Sequence, residues 1–279
     1  LDAQVQAAIG RIQSFDLMQD TVMIARALGF RAINMDLVYG LPFQSTASLE
    51  QTVQRLALLN PDRIYCMPYH HQPDQLAHQR AMDGDIAKSL ADRLCLFNTV
   101  VEGLTATGYD WIGLDCFARP NDDLALAQSE LRLWHDWLGY TACRTRDFLG
   151  FGVNAISESD GLCVQNHLEI PNWQNALANN SLPVRGGFQL STEQRRRRDA
   201  LTGLLCNMET PDSDVLMSLR PADDAPNPWQ EYLQRGLIDI EPNRLRVTQT
   251  GRHLLHHVWN DLGHRHRKAG PVPGAWMPN

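Results

Sequence analysis

Apolar residues in the first third of the chain alternate between the spacing of amphipathic helices and that of buried strands. An apolar stripe over residues 15–28 predicts a helix, and Gly29 is a typical C-terminal stop. The run 32–39 is mostly apolar, which predicts a strand buried on both faces, as in a parallel sheet. Asp36 interrupts this run.

Two further helix–strand pairs follow. Ser45 is a predicted N-cap for a helix that ends at Asn60, and a strand follows at 63–67. A long helix over 86–107 precedes a third strand at 111–115. Strands separated by helices predict right-handed parallel β-α-β units. These units fit either an open doubly wound sheet or part of a (β/α) barrel.

The pattern changes in the second half of the chain. Residues 121–185 are rich in Asn, Gly and Trp, and they predict an irregular connecting segment. Helices are predicted at 192–208 and 229–235, a β-hairpin at 236–248 and a last helix at 250–259. Helices followed by a short hairpin are typical of a winged-helix module.

The charge distribution also indicates two modules. Residues 1–184 carry 12 basic and 21 acidic side chains, a net charge of −9, whereas residues 185–279 carry 13 and 11, a net charge of +2. A nucleic-acid-binding domain is normally basic overall, so the charge does not favour that function. No apolar run approaches the ~18–20 residues of a membrane helix, and residues 1–20 do not resemble a signal peptide. We therefore expect a cytoplasmic protein.

The cysteines give no local metal motif. No two of them lie closer than 20 residues: Cys66, Cys95, Cys116, Cys143, Cys163 and Cys206. This spacing excludes a CxxC zinc or redox site and a local iron–sulfur motif in the chain, so we expect free thiols. His253 and His257 have the i, i+4 spacing of helical metal ligands, but no third ligand is evident, and we assign no metal site.

Two other motifs are not assigned the function that their patterns suggest. Residues 150–155 match the GxGxxA dinucleotide fingerprint, but no apolar strand precedes them and no acidic residue follows about 20 positions later. Their glycines instead indicate close approach of the backbone to a packing partner or a ligand. The basic run 195–198 lies on a predicted helix, where consecutive side chains point in different directions.

Polar residues lie on the predicted strands or just after them: Asp36, His70, His71, Asp115 and Arg119. In (β/α) folds the active site forms at the carboxyl edge of the sheet. A buried Asp36 needs a partner, which is either a ligand hydroxyl or amine, or an arginine such as Arg11 or Arg31.

Four segments then carry a specific signature: residues 36–42 (DLVYGLP), 59–63 (LNPDR), 113–125 (GLDCFARPNDDLA) and 149–157 (LGFGVNAIS). Together they resemble the oxygen-independent coproporphyrinogen III oxidase family of radical S-adenosylmethionine (SAM) proteins. The first pattern occurs across a wider subfamily, whereas DxFARPxDxLA is much more specific. The resemblance extends to about residue 268.

The resemblance implies an α/β fold: the back part of a radical SAM partial (β/α) barrel, followed by a mostly helical winged-helix-like C-terminal domain. We place the barrel part at 1–120, a connecting segment with a SAM-contacting loop at 121–185, the C-terminal domain at 186–268 and a flexible tail at 269–279. It also implies that the chain is a piece of a longer polypeptide, with the CxxxCxxC cluster motif upstream.

The activity that the resemblance implies is the conversion of coproporphyrinogen III to protoporphyrinogen IX in haem biosynthesis. A 5′-deoxyadenosyl radical takes hydrogen from two propionates, and each loses CO₂ to leave a vinyl group. The implied cofactors are two SAM molecules and a 4Fe–4S cluster whose ligands are not in this chain. We expect an electron donor as a partner, a monomer, and no nucleic-acid or membrane partner.

The resemblance also assigns cofactor contacts. Arg11 and Asp36 match residues that bind the second SAM, while His70, through its main chain, and Ile156 match contacts to the first. A guanidinium can hold the SAM carboxylate, a carboxylate can accept bonds from ribose hydroxyls, and Ile156 can pack on the adenine. Arg119 or Arg185 are candidates to hold substrate carboxylates, and no catalytic residue is assigned.

Three departures from the family pattern keep alternatives open. His70 stands in place of a small residue, Cys116 in place of a His, and Leu138 in place of a Gln. A related radical SAM haem chaperone or methyltransferase is therefore the second hypothesis. A winged-helix nucleic-acid-binding module is the third.

The cysteine spacing generates a direct prediction. We expect the 279-residue chain, reconstituted anaerobically with iron and sulfide, to form no 4Fe–4S cluster, because it holds no CxxxCxxC motif. Visible absorption spectroscopy measures this. Absorbance typical of a 4Fe–4S cluster in the reconstituted chain would show that the prediction is wrong.

Overall fold

A computed structural model describes residues 1–74, 77–82, 86, 89–211, 228–242 and 244–254. The chain divides into two compact units, of which the first is Leu1–Ser129 and the second begins at Glu130. The domain boundaries that we place at 120, 185 and 268 stay predictions.

The first unit contains helices and strands in alternation. Its helices are α1 (Ala3–Ala8), α2 (Phe15–Ala27), α3 (Thr46–Leu59), α4 (Leu90–Ala106) and α5 (Asp123–Ser129). Its strands are β1 (Asn34–Tyr39), β2 (Arg63–Pro68), β3 (Asp110–Ile112) and β4 (Cys116–Ala118). A short 3₁₀ helix, Ala77–Met82, follows β2.

The predicted cap of α3 is confirmed. The Ser45 side chain accepts a hydrogen bond from the Ser48 amide at 3.1 Å, and the Ser48 side chain accepts one from the Ser45 amide at 3.0 Å. This capping box satisfies two backbone donors that the first turn of a helix leaves without partners. Asn60 ends the helix in a left-handed conformation, with φ of 50°.

The prediction of a third parallel strand at 111–115 is wrong, because this segment belongs to an antiparallel hairpin. The sheet order is β1-β2-β4-β3, with β1 parallel to β2 as predicted, but β4 lies antiparallel between β2 and β3. A tight turn over residues 113–115 makes this hairpin, and Gly113 has a φ of +53°, which a glycine adopts without strain. The run 111–115 is thus one arm of a hairpin and its turn, and not a parallel strand.

Two other sequence predictions for this unit need correction. Residue 86 is not helical, and α4 begins after the Ser89 N-cap. The strand β1 is not buried on both faces, because Asn34 and Asp36 are exposed while Leu37 and Tyr39 are buried. Its buried side faces a core built from the sheet, α3 and α4.

A polar clamp, formed by Asp62, Arg63 and Asp122, stands where β2 begins. Arg63 Nε donates to both carboxylate oxygens of Asp122 at 2.9 Å, and Asp122 is almost fully buried. Asp122 Oδ1 also accepts from the Leu124 amide at 2.8 Å, which anchors the start of α5. Asp62 Oδ2 accepts from the Ile33 amide at 2.6 Å, which fixes the approach to β1.

The second unit is richer in strands than the sequence predicts. Its strands are β5 (Trp134–Asp136), β6 (Gly139–Thr141), β7 (Ile156–Ser159), β8 (Leu162–Asn166), β9 (Val184–Gln189), β10 (Glu209–Thr210), β11 (Ile238–Glu241) and β12 (Arg244–Val247). Its helices are α6 (Ile170–Ala178), α7 (Thr192–Asn207), α8 (Pro228–Gln234) and residues 249–254, which we name α9.

The segment 121–185 is therefore not irregular, since it holds helices and an antiparallel ladder of β7, β8 and β9 completed just beyond it. The helix predicted at 192–208 and the hairpin of β11 and β12 are confirmed. The remainder of the last predicted helix, His257 and the predicted tail lie outside the described residues.

The clamp supports a stability prediction. We expect Asp122→Asn to lower the free energy of unfolding by about 2–3 kcal/mol, because it leaves the Arg63 guanidinium without its buried counter-charge. The neighbouring carboxylate Asp123 is exposed. Asp123→Asn is thus the matched control and should cost less than about 1 kcal/mol. Urea unfolding measures both, and equal losses would contradict the prediction.

Candidate functional site

Polar groups gather at the carboxyl edge formed by β1 and β2. The Tyr69 amide donates to the Tyr39 carbonyl at 2.8 Å, which holds the ends of the two strands together. His70 follows at once and is half-buried. Its carbonyl accepts a hydrogen bond from Nε2 of the buried Gln79 at 3.1 Å. The main chain at His70 is therefore held in a fixed position.

Burial and a nearby arginine set the electrostatics of this edge. Burial, and then the charge of Arg93, lower the pKa of His70, so that its imidazole is neutral near pH 7. Burial, with smaller contributions from Cys66 and Asp115, raises the pKa of Tyr39, while Arg93 opposes that shift. Arg93 thus acts on two groups of the edge, and its sequence position gave no signal of this.

Arg11 and Asp36 are both exposed. Arg11 Nε donates only a long hydrogen bond, 3.4 Å, to Gln13. Asp36 accepts a bond from Asn34 Nδ2 at 2.9 Å. The prediction that Asp36 is buried is therefore wrong. Within the part of the chain that the structure describes, no ion pair joins Asp36 to Arg11 or Arg31, so one of the two partners that the sequence left open is not seen.

The structure separates Asp115 from Arg119. The Asp115 carbonyl accepts from the Cys66 amide at 2.7 Å, which places it beside β2. Arg119 lies at the opposite edge, because β4 runs antiparallel to β2 and ends where β2 begins. Its guanidinium lies 3.9 Å from the Tyr109 ring centroid and donates to the Thr107 carbonyl at 3.0 Å. Arg119 is therefore a structural residue of the amino edge.

In the second unit, the glycine loop of residues 149–155 leads into β7, which begins at Ile156. The Gly150 amide donates to Ser157 Oγ at 3.0 Å, and a Cβ on Gly150 would lie 2.3 Å from the Ile156 carbonyl oxygen. The Asn154 amide donates to the His167 carbonyl at 2.8 Å. Gly150 is thus required for packing, which is one of the two roles that the sequence left open.

Ile156 itself is half-buried and faces Gln165 across the ladder. Its loop is exposed, since Phe151 has 90% of its surface accessible and Leu149 has 73%. The structure thus places an apolar side chain beside an exposed, firmly tethered loop.

A cavity of about 1350 Å³ runs along α7 in the second unit. Its charged lining is mostly paired internally: Arg195 with Asp160 at 2.7 Å, Arg198 with Glu158 at 2.6 Å, and Arg144 with Asp199. The basic run 195–198 therefore diverges to separate partners, as predicted. We find no concentration of one charge here that would select an ionic ligand.

Metal ligation has no support in the described part of the chain, where no three His, Cys, Asp or Glu side chains are grouped to hold an ion. All six cysteines are free thiols. Burial raises the pKa of the Cys66 and Cys206 thiols. Among the described helices none is both long and apolar enough to cross a membrane.

Comparisons with known proteins give a consistent family. No protein-family model matches the chain. It is 34% identical over 263 residues to the oxygen-independent coproporphyrinogen III oxidase of Pseudomonas aeruginosa, covering 92% of this chain and 57% of that protein. It is 31% identical to the enzyme of that name from Thermostichus vulcanus, covering 92% of this chain and 81% of the relative.

A solved structure agrees with these relatives. Coproporphyrinogen III oxidase from Escherichia coli, described as a radical SAM enzyme, matches with a TM-score of 0.83 and 32% identity over 94% of this chain and 62% of that one. This match confirms the predicted fold class. The chain spans little more than half the length of the Pseudomonas aeruginosa relative. Identity, coverage and structural likeness together show that the chain belongs to the oxygen-independent coproporphyrinogen III oxidase family.

Proposed function

We propose that the protein carrying this chain is a radical SAM oxidoreductase that converts coproporphyrinogen III to protoporphyrinogen IX without oxygen. Two propionate side chains each lose CO₂ and become vinyl groups. The observation that carries this proposal is the 30–34% identity, over more than nine-tenths of the chain, to relatives named for that enzyme.

The residues of the chain fit SAM in their chemistry. Asp36 offers an exposed carboxylate that accepts one hydrogen bond, from Asn34, and Arg11 offers an exposed guanidinium with one long hydrogen bond. A carboxylate suits ribose hydroxyls or an amine, and a guanidinium suits a carboxylate. These two side chains are available to a ligand, which supports their assignment to the second SAM.

The contacts to the first SAM rest on a main-chain position and an apolar side chain. His70 presents its backbone, which Gln79 holds in place, and its neutral imidazole adds no charge to repel a sulfonium. Ile156 presents a half-buried apolar surface on which an adenine ring can pack.

When bound, SAM and a 4Fe–4S cluster supply the abstraction of hydrogen from the substrate. The described residues offer no cluster ligands, so no step through the cluster is assigned to them. Their part is to bind and orient SAM. An electron donor, a monomeric state and the cytoplasm as location are expectations that accompany this proposal.

Vinyl formation tests the function directly. Full-length protein, reconstituted anaerobically with iron, sulfide and SAM, should convert coproporphyrinogen III to protoporphyrinogen IX. Chromatography of the oxidised porphyrins measures the product. Haem binding with no product would instead indicate a chaperone and would overturn the proposal.

In the same protein, Asp36→Ala should reduce bound SAM from two molecules to one, because a charged hydrogen-bond acceptor is lost.

The control for that substitution is Asp20→Ala, since Asp20 is an exposed carboxylate of α2. It should leave two SAM molecules bound. Equilibrium dialysis with labelled SAM measures the stoichiometry. Unchanged stoichiometry in Asp36→Ala would remove Asp36 from the site without contradicting the reaction.

The pKa of His70 gives a prediction at the carboxyl edge. We expect Arg93→Gln to raise the pKa of His70 toward, but not up to, its ordinary value of 6.5, because burial still disfavours the imidazolium. Near pH 6, His70 binds fewer protons in the folded chain than in the unfolded chain. His70 therefore lowers the free energy of unfolding as the pH falls through 6.5.

Proton NMR of the imidazole measures this titration. Arg55→Gln is the control, because the Arg55 guanidinium lies over the Phe15 ring and does not act on His70. The same pKa in Arg93→Gln and in the unsubstituted chain would contradict the prediction.

A further inference from the structure

Three residues form a row across the ladder of β7, β8 and β9. Ile156 pairs with Gln165, and Gln165 pairs with Gly186. Residues directly opposite each other in antiparallel strands share one face of the sheet, with Cβ atoms about 4.5–5.5 Å apart. The row therefore places an apolar side chain, an amide and a bare backbone side by side.

The next row on the same face is filled. Glu158, Cys163 and Phe188 are its members by register. Trp137 covers this row, since its ring lies 6.4 Å from that of Phe188 and its Nε1 donates to Glu158 Oε2 at 2.9 Å. Arg198 completes the cover by pairing with Glu158 at 2.6 Å.

The row of Ile156 is open by comparison. A Cβ placed on Gly186 meets no atom within 4 Å, and Gly186 is exposed. Gly186 has no positive φ that would require a glycine. The surface at this end of the row is thus open because Gly186 has no side chain, and a planar ring can pack against the exposed backbone.

A hydrogen bond to Asn154 fixes the orientation of the Gln165 side-chain amide. Its Nε2 donates to Asn154 Oδ1 at 2.9 Å, and Asn154 is itself held by its amide bond to the His167 carbonyl at 2.8 Å. This arrangement fixes which end of the amide faces the loop. It leaves the carbonyl oxygen Oε1 as the end of the amide that can accept from a ligand, on the residue that pairs with Ile156 across the ladder.

We infer that Gln165 reads the base of the nucleoside that packs on Ile156, by accepting a hydrogen bond from the exocyclic amino group of adenine. The inference rests on the proposed function, in which Ile156 contacts SAM. A 6-oxo purine presents an acceptor where adenine presents a donor, so it leaves Gln165 Oε1 facing another acceptor. A site built to bond a donor rejects an analogue that lacks it.

The test uses two nucleosides with the full 279-residue chain: 5′-methylthioadenosine and 5′-methylthioinosine. We expect the adenine compound to bind about tenfold more tightly, the ratio that corresponds to one hydrogen bond. Gln165→Met keeps the length of the side chain and removes the acceptor. It should bring the two affinities to within about twofold of each other. Isothermal titration calorimetry measures both.

Two further variants check the geometry. Gly186→Val adds a side chain where an added Cβ meets no atom within 4 Å, and it should weaken both nucleosides equally, by at least about tenfold. Gln189→Met is the matched control, because Gln189 pairs with Leu162 on the other face of the same sheet. It should keep the adenine preference. Thermal unfolding of each variant shows that it is folded.

The outcomes separate the inference from the proposed function. A tenfold adenine preference that persists in Gln165→Met overturns the inference and leaves a nucleoside site at Ile156 intact. Equal binding of both nucleosides by the unsubstituted chain also overturns it. Binding of neither nucleoside by that chain overturns the inference together with the assignment of Ile156, while vinyl formation independently reports the reaction.

Discussion

The buried pair of Arg63 and Asp122 constrains the first unit most strongly, because it joins the start of β2 to the chain that leaves β4. Asp122 lies five residues after Phe117, and Phe117 pairs with Ile64, the residue next to Arg63. The ion pair therefore stabilises the antiparallel placement of β4 next to β2. Both charged residues belong to the segments with the family signature, so much of that signature describes how the sheet is held and not the reaction itself.

The polar groups at the two edges of this sheet differ in how far they are paired within the protein. At the amino edge, the charges satisfy one another or cap helices, as Arg119 does for the Thr107 carbonyl. At the carboxyl edge, the His70 carbonyl accepts one hydrogen bond from Gln79, and within β1 the exposed Asp36 carboxylate accepts one from Asn34. Polar groups that a fold does not consume are the ones that a ligand can use. The division explains why Arg119, although it lies in the most specific motif, does not join the candidate site.

Sequence reasoning worked where local chemistry decides the structure. The Ser45 cap and the parallel pairing of β1 and β2 follow from residue types and spacing. It failed where long-range pairing decides it: a short turn at Gly113 inside an apolar run gives no strong signal, and the β7–β9 ladder is too polar to be recognised as buried strands. Asp36 was expected to be buried because its neighbours are apolar, yet only one side of β1 is covered.

In the candidate site, too, the sequence does not reveal which residues long-range strand pairing brings together. Ile156 is identified by resemblance, but Gln165 and Gly186 become its neighbours only through the strand register, which a one-residue slip would abolish. On β9 these two rows differ in residue size: Phe188 fills its row and lies against Trp137, whereas Gly186 leaves its row open. A buried carboxylate at Glu158 requires the covered row, because its charge needs two donors. The amide of Gln165 carries no charge, so it can remain in the open row. Because it is not covered as Glu158 is, Gln165 is the polar side chain of these two rows that can exchange water for a ligand.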